Sequence, residues 1–220
     1  MPFNAVIFDL DGTLLDTLED IVNTLNAVLE SHRYPTHSLD ERRFLVGHGL
    51  RELVRKALPE NTATETLIDT LLADLMDHYS RNWNRNSKPY EGIADMLDDL
   101  DRRGMKKAIL SNKADRFTQL CASELLAEWS FDAVMGHHDA IPHKPDPAGA
   151  LLIAAKLGHK PEDILYVGDS GIDMLTASRA GMYPLGVLWG FRPEDELLEF
   201  GAKTLVKTPA EITAFLEAAR

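Results

Sequence analysis

Asp9 and Asp11 stand two residues apart where the apolar run Ala5–Phe8 ends, with Gly12 and Thr13 directly behind them. Residues i and i+2 of an extended backbone share one side, so both carboxylates can face the same space. Two such charges 4 Å apart repel by ~4 kcal/mol at an effective dielectric near 20. A positive group must lie close by for the arrangement to persist. Gly12 permits a tight departure from the strand, and Thr13 adds a hydroxyl.

The stretch "LYVGDSGID" repeats the pattern: an apolar run ends on Gly168 and Asp169, and Asp173 follows four residues on. Clustered carboxylates without His or Cys partners are hard oxygen donors, the set that suits Mg²⁺. The ion would neutralise the anions and hold a phosphate oxygen. Two more segments carry complementary groups. "AILSNK" ends on Ser111 and Asn112, a hydroxyl and an amide. "IPHKPDP" sets Lys144 between Pro142 and Pro145, so its backbone is restricted. A cation there would offset phosphoryl charge that a single metal leaves uncovered.

These residues need a scaffold that brings strand ends together. Ala5–Phe8, Lys106–Ser111, Phe131–Gly136, Asp163–Asp169 and Pro184–Trp189 read as buried strands, and Lys203–Val206 as a short edge strand. Helical patterns lie between them at Gly92–Arg103, Asp115–Leu126, Pro147–Leu157, Ile172–Ala180 and Pro209–Ala219. Strand–helix alternation predicts an α/β fold, a Rossmann-like parallel sheet with helices on both faces. From Thr17 to about Trp83 the rhythm changes to helix after helix, including "LDERRFLV" (39–46), "LRELVRKAL" and "TLIDTLLADLMDHYSRNW". Asp16 is placed to cap the first of these, with Glu19 three residues on. "NRNSKPYEG" reads as a return linker. The expected organisation is a core of residues 1–15 and 88–220 with an inserted α-helical cap domain, residues 16–87, over the strand ends, where such sheets bind ligands.

The chain has 220 residues, 45% of them hydrophobic, and a net charge of -12. That acidity argues against nucleic acid or anionic membrane as partners. The single cysteine, Cys121, allows no internal disulfide and falls in an apolar-periodic helix, the setting of a core thiol. The short apolar run at the N-terminus reads as a strand and not a leader, and no run reaches membrane-spanning length, so a cytoplasmic location is expected.

Taken in order, "DLDGT", the Ser111 strand end, Lys144 and "GDSGID" resemble the four signature motifs of the haloacid dehalogenase superfamily, in its branch with a helical cap. "VGHGLRELV", "SNK" and "GVLWG" are similar to the corresponding stretches of phosphoglycolate phosphatases. The resemblance implies a phosphomonoester hydrolase acting on a small phosphorylated metabolite, as monomer or homodimer. Asp9 would be the nucleophile that forms an aspartyl-phosphate, and Asp11 the general acid and then base, its pKa raised by anionic neighbours. Mg²⁺ would be held by Asp9, the Asp11 carbonyl and Asp169, with Asp173 orienting metal waters or Lys144. Ser111 and Asn112 would donate to the phosphoryl group and Lys144 would balance charge. Thr13, the loop Gly47–His48–Gly49 and Arg51 are expected at the substrate, Arg51 pairing with a small carboxylate. Trp189 and Gly190 follow the fifth strand near the site. His137, His138 and His143 read as loop residues without metal-binding spacing.

Within the superfamily, a carbon-attacking dehalogenase would not keep the Asp11 carboxylate. A phosphonate hydrolase would need a lysine in the first cap helix, yet the first lysine in the chain is Lys56. A sugar-phosphate mutase or a pyrophosphatase would keep both aspartates. A phosphoaccepting receiver domain shares the acidic site and the lysine, but lacks an insertion of this size.

Overall fold

Every side chain of β1 (Ala5–Phe8) is fully buried, which places this strand at the centre of the molecule. A computed structural model describes residues 3–38 and 46–219. β1 pairs in parallel with β4 (Lys106–Ala114) on one side and β6 (Ile164–Gly168) on the other. β5 (Ala133–His137) lies outside β4, while β7 (Tyr183–Val187) and β8 (Thr204–Val206) extend the sheet beyond β6. The order is β5-β4-β1-β6-β7-β8, parallel throughout. The chain leaves β1 for β4 and β5 and then returns to β6 on the opposite side. β1 therefore sits at the reversal point, whose carboxyl edge is the ligand crevice of such sheets.

Alternate residues of the strands feed two cores. Val6, Phe8, Ile109, Leu165 and Val187 face one, which includes α4 (Ile93–Arg102), α5 (Asp115–Leu125) and α9 (Pro209–Ala218) through Leu97, Phe117, Cys121 and Ile212. Ile7, Ala108, Leu110 and Tyr166 face the other, with α6 (Ala148–Leu157) and α7 (Gly171–Ala180). Burying an Ile7 or a Phe8 stabilises by about 1.5–3 kcal/mol each, so β1 is anchored firmly behind Asp9. Cys121 lies in the first core, where burial pushes its thiol up to about 12.

The expected α/β sheet is present, with differences of register. β4 runs three residues past Ser111, to Ala114, and its pairing with β5 is irregular between Leu110 and Ala114. β5 ends on His137, which is therefore a strand residue and not a loop residue. A short helix, α8 (Glu194–Glu199), follows β7 and had no counterpart in the predicted elements.

The insertion after β1 contains α1 (Leu18–Ser31), α2 (Leu50–Ala57) and α3 (Glu65–Asn82). The expected helix at 39–46 falls on residues outside the described ones, apart from Val46. The chain enters and leaves through an antiparallel ribbon of β2 (Leu15–Asp16) and β3 (Lys88–Pro89). Asp16 therefore faces Lys88 across that ribbon and does not cap α1; the N-cap position belongs to Thr17. Asp20 of α1 pins the returning chain. It accepts bonds from the backbone N–H and side-chain amide of Asn86 and from the N–H and hydroxyl of Ser87. Burial opposes its charge, yet these donors hold its carboxyl below the ordinary range.

Candidate active site

Asp9, Asp169 and Asp173 converge at the carboxyl edge of β1 and β6. Each offers a carboxylate oxygen, and these oxygens lie within 4.8 Å of one another with all three residues buried. One cation faces them. The Lys144 ammonium lies 2.8 Å from Asp9 Oδ1 and 2.7 Å from Asp173 Oδ1, and donates to the Leu110 carbonyl at 3.1 Å. Burial works against the lysine's charge, but Asp173 and Asp9 outweigh it and hold its pKa well above the usual value. Two carboxylates share this ammonium and a third, Asp169, lies beside them, which leaves negative charge uncovered. Burial and Asp173 push Asp9 up to about 7, although Lys144 pulls the other way. Burial, Asp173 and Asp9 likewise hold Asp169 well above the carboxylate range.

Local structure fixes each group. Asp9 Oδ1 accepts from the Leu10 N–H at 2.7 Å. Gly12 turns away at φ 82°, and a Cβ there would lie 2.3 Å from Asp169 Oδ2, so glycine is required on both counts. Asp169 Oδ2 accepts from the Phe191 N–H at 2.7 Å. Asp173, three residues into the turn that opens α7, accepts from the Ser170 N–H and hydroxyl through Oδ2 while Oδ1 holds Lys144. The Thr13 hydroxyl is buried with no partner, and its carbonyl accepts from the Trp189 indole at 3.0 Å. Buried oxygen donors, excess negative charge and no nitrogen or sulfur ligand fit a hard divalent cation.

The other expected residues divide between roles. Ser111 lines the cavity beside Asp9. Asn112 lines it too, but its side chain is not directed at a phosphoryl group. Nδ2 donates to the Gly47 and Lys144 carbonyls, and Oδ1 accepts from the Lys144 N–H. It clamps the Gly47 loop to the Lys144 loop. The Asp11 carboxylate is held by two donors: Thr17 Oγ1 donates to Oδ1 at 2.7 Å, and Lys113 Nζ donates to Oδ1 at 2.9 Å.

In the insertion, Gly47 and Gly49 line the cavity. At φ 85° and with His143 Nε2 2.9 Å from where a Cβ would stand, Gly49 admits no side chain. His48 faces an outer groove with Lys56, Arg192 and Glu196. Arg51 is not brought to the cavity. Its guanidinium pairs with Glu65 and Asp69, both at 2.7 Å, on the exposed face of the insertion. The position expected for it near the substrate is approached instead by Arg192, which lines the cavity and donates to the Val46 carbonyl at 3.0 Å.

Sequence reading missed Arg192, Lys113 and Tyr79 as cavity residues. Arg192 lies two residues beyond the noted Gly190. Lys113 ends the quoted "SNK", whose strand was expected to stop at Ser111. Tyr79 follows Ile68, Leu71 and Leu75 on one buried face of α3 and so reads as core. The cavity wall opposite the aspartates is apolar: Ile21, Val46, Leu50 and Leu53. It encloses about 40 Å³ of free space.

A family model described as haloacid dehalogenase-like hydrolase matches residues 6–187. Phosphoglycolate phosphatase 1 of Pseudomonas aeruginosa is 33% identical over 205 residues, covering 91% of this chain and 75% of that protein. The N-acetylmuramic acid 6-phosphate phosphatase of the same organism is 31% identical over 221 residues, covering 100% and 97%. A crystal structure from Lactobacillus delbrueckii subsp. bulgaricus, assigned as a phosphoglycolate phosphatase, superposes with a TM-score of 0.92 at 28% identity, covering 98% of this chain and 99% of that one. With four ordered motifs, this sheet and a family match across most of its length, the chain belongs to the haloacid dehalogenase-like hydrolases.

Proposed function

We propose that the protein is a Mg²⁺-dependent phosphomonoester hydrolase that works through an aspartyl-phosphate on Asp9 and acts on a small phosphorylated acid or sugar. The convergence of Asp9, Asp169 and Asp173, with Lys144 on two of them as the one contacting cation among the described residues, carries this reading. A divalent ion held by Asp9, Asp169 and the Asp11 carbonyl would supply the missing positive charge for the dianionic phosphoryl group.

The residues divide the work. An Asp9 oxygen attacks phosphorus while the bond to the leaving oxygen breaks. Asp11 gives that oxygen its proton, then takes one from the water that cleaves the aspartyl-phosphate and regenerates Asp9. Ser111 donates to a phosphoryl oxygen and Lys144 offsets charge shared between Asp9 and the transferring group. Asp173 holds Lys144 in place through a 2.7 Å contact. Positioning and electrostatics suffice, because the phosphoryl transition state is loose.

Arg192 in the cavity wall supports a leaving group that carries a carboxylate. The relatives named for phosphoglycolate and for N-acetylmuramic acid 6-phosphate both bear names of phosphorylated carboxylic acids. A panel of phosphorylated metabolites, run with Mg²⁺ and with EDTA, tests the proposal. Magnesium-dependent phosphate release from a small phosphorylated acid is expected. Turnover unaffected by EDTA, or none with any phosphomonoester, contradicts it.

A further inference from the structure

Lys113 and Tyr79 have no place in the chemistry above, yet both are buried at the cavity wall. Lys113 comes from β4 of the core, Tyr79 from α3 of the insertion. Lys113 Nζ donates to the Tyr79 hydroxyl at 2.7 Å and lies 4.9 Å from the centre of its ring. The same ammonium donates to Asp11 Oδ1 at 2.9 Å and stands 3.3 Å from Oδ2. Tyr79 is fixed in turn by the edge-on ring of Phe117, 4.9 Å away on α5. A cap side chain thus reaches into the core and ends one contact from the acid–base carboxylate.

We propose that Lys113 and Tyr79 are positioning residues that aim Asp11, and that Asp11 is correctly aimed only while the cap is docked. This rests on the acid–base role given to Asp11 above. Thr17 and Lys113 both hold Oδ1, which leaves Oδ2 with only the longer Lys113 contact where Asp11 lines the cavity. With Tyr79 withdrawn, Lys113 keeps its charge but loses the oxygen and the ring face that fix its direction. The two partners of Lys113 thereby connect cap docking with the orientation of the group that protonates the leaving oxygen.

The test compares single-turnover release of two leaving groups. An alkyl phosphomonoester needs its leaving oxygen protonated; p-nitrophenyl phosphate, whose leaving group is stable as an anion, does not. Lys113→Met is expected to slow alkyl release by about tenfold or more, with aryl release changed far less. Tyr79→Phe keeps the ring, removes the acceptor and should give the same pattern at smaller size. In an Asp11→Asn background, neither change should slow alkyl release further. Equal losses on both substrates in a wild-type-active enzyme, or additive losses in the Asp11→Asn background, overturn the proposal. Should Lys113→Met fail to fold, the Tyr79→Phe comparison decides by the same criteria. A wild-type protein inert toward both esters overturns the hydrolase reading itself, and this one with it.

Discussion

The Lys144 ammonium lies 2.8 Å from the Asp9 carboxylate and is shared with Asp173 at 2.7 Å. Asp9 therefore faces the only cation that contacts the carboxylate cluster among the described residues, and does not have it to itself. Incoming phosphoryl charge needs more than Lys144 can offset, which is the electrostatic case for a divalent ion at this site.

Asp9→Asn removes the oxyanion proposed to attack phosphorus and one charge from a crowded cluster. Turnover of a phosphomonoester should fall by about a thousandfold or more. The melting temperature of the metal-free protein should stay level or rise, because like-charge repulsion is relieved. Turnover and thermal melts on the same preparation check both halves; a variant with near-native turnover removes Asp9 from its role.

Asp9 is held at about 7 when folded, above the roughly 3.9 of an unfolded aspartate. Between those values the folded state keeps a proton that the unfolded state has released. Stability of the chelated protein should therefore fall as pH rises from about 4 to about 7, then level off. Magnesium needs the ionised carboxylate, so the gap in melting temperature between Mg²⁺-loaded and EDTA-treated protein should widen over the same window. A gap that is constant from about pH 5 to about pH 8 contradicts this.

Arg192 lines the cavity, where it donates to the Val46 carbonyl and lies 3.8 Å from Glu196, while Arg51 pairs with Glu65 and Asp69 at the surface. Arg192→Ala should raise KM for a carboxylated phosphate ester about tenfold and affect a neutral ester less. Arg51→Ala should leave both KM values within about twofold, since exposed ion pairs contribute little. Steady-state kinetics on a matched pair of esters distinguishes them; the reverse ranking would return Arg51 to the substrate.

Asp20 ties α1 to the segment that returns from the insertion into β3. Asp20→Ala leaves the N–H groups of Asn86 and Ser87 without their acceptor and should cost about 2–4 kcal/mol. For a chain of this size that is roughly 4–16 °C in melting temperature. An unchanged melt would mean the ribbon holds without it.

The groups on strand ends were legible in the sequence because an apolar run that stops on a carboxylate is visible without knowing the fold. Asp9, Asp169, Asp173 and Lys144 meet where that pattern indicates. Residues whose place depends on tertiary packing were not legible. Arg51 follows the Gly47–Gly49 loop closely in sequence, but the helix after Gly49 turns its side chain to α3. Arg192 reaches the same cavity from a turn after β7 whose geometry no periodicity reveals. Tyr79 carries the spacing of a core residue and is one, apart from its hydroxyl. The β2–β3 ribbon is two residues per strand, too short to alternate, so the one-residue shift from Asp16 to Thr17 at the start of α1 could not be seen.

The most direct test of the central claim is a crystal structure obtained with Mg²⁺ and beryllium fluoride, a mimic of a phosphoryl group on a carboxylate. The account predicts beryllium bonded to an Asp9 oxygen, with the metal against Asp9 and Asp169 and Lys144 beside the fluorides. Beryllium fluoride and magnesium bound away from Asp9, or absent at saturating concentration, would contradict it.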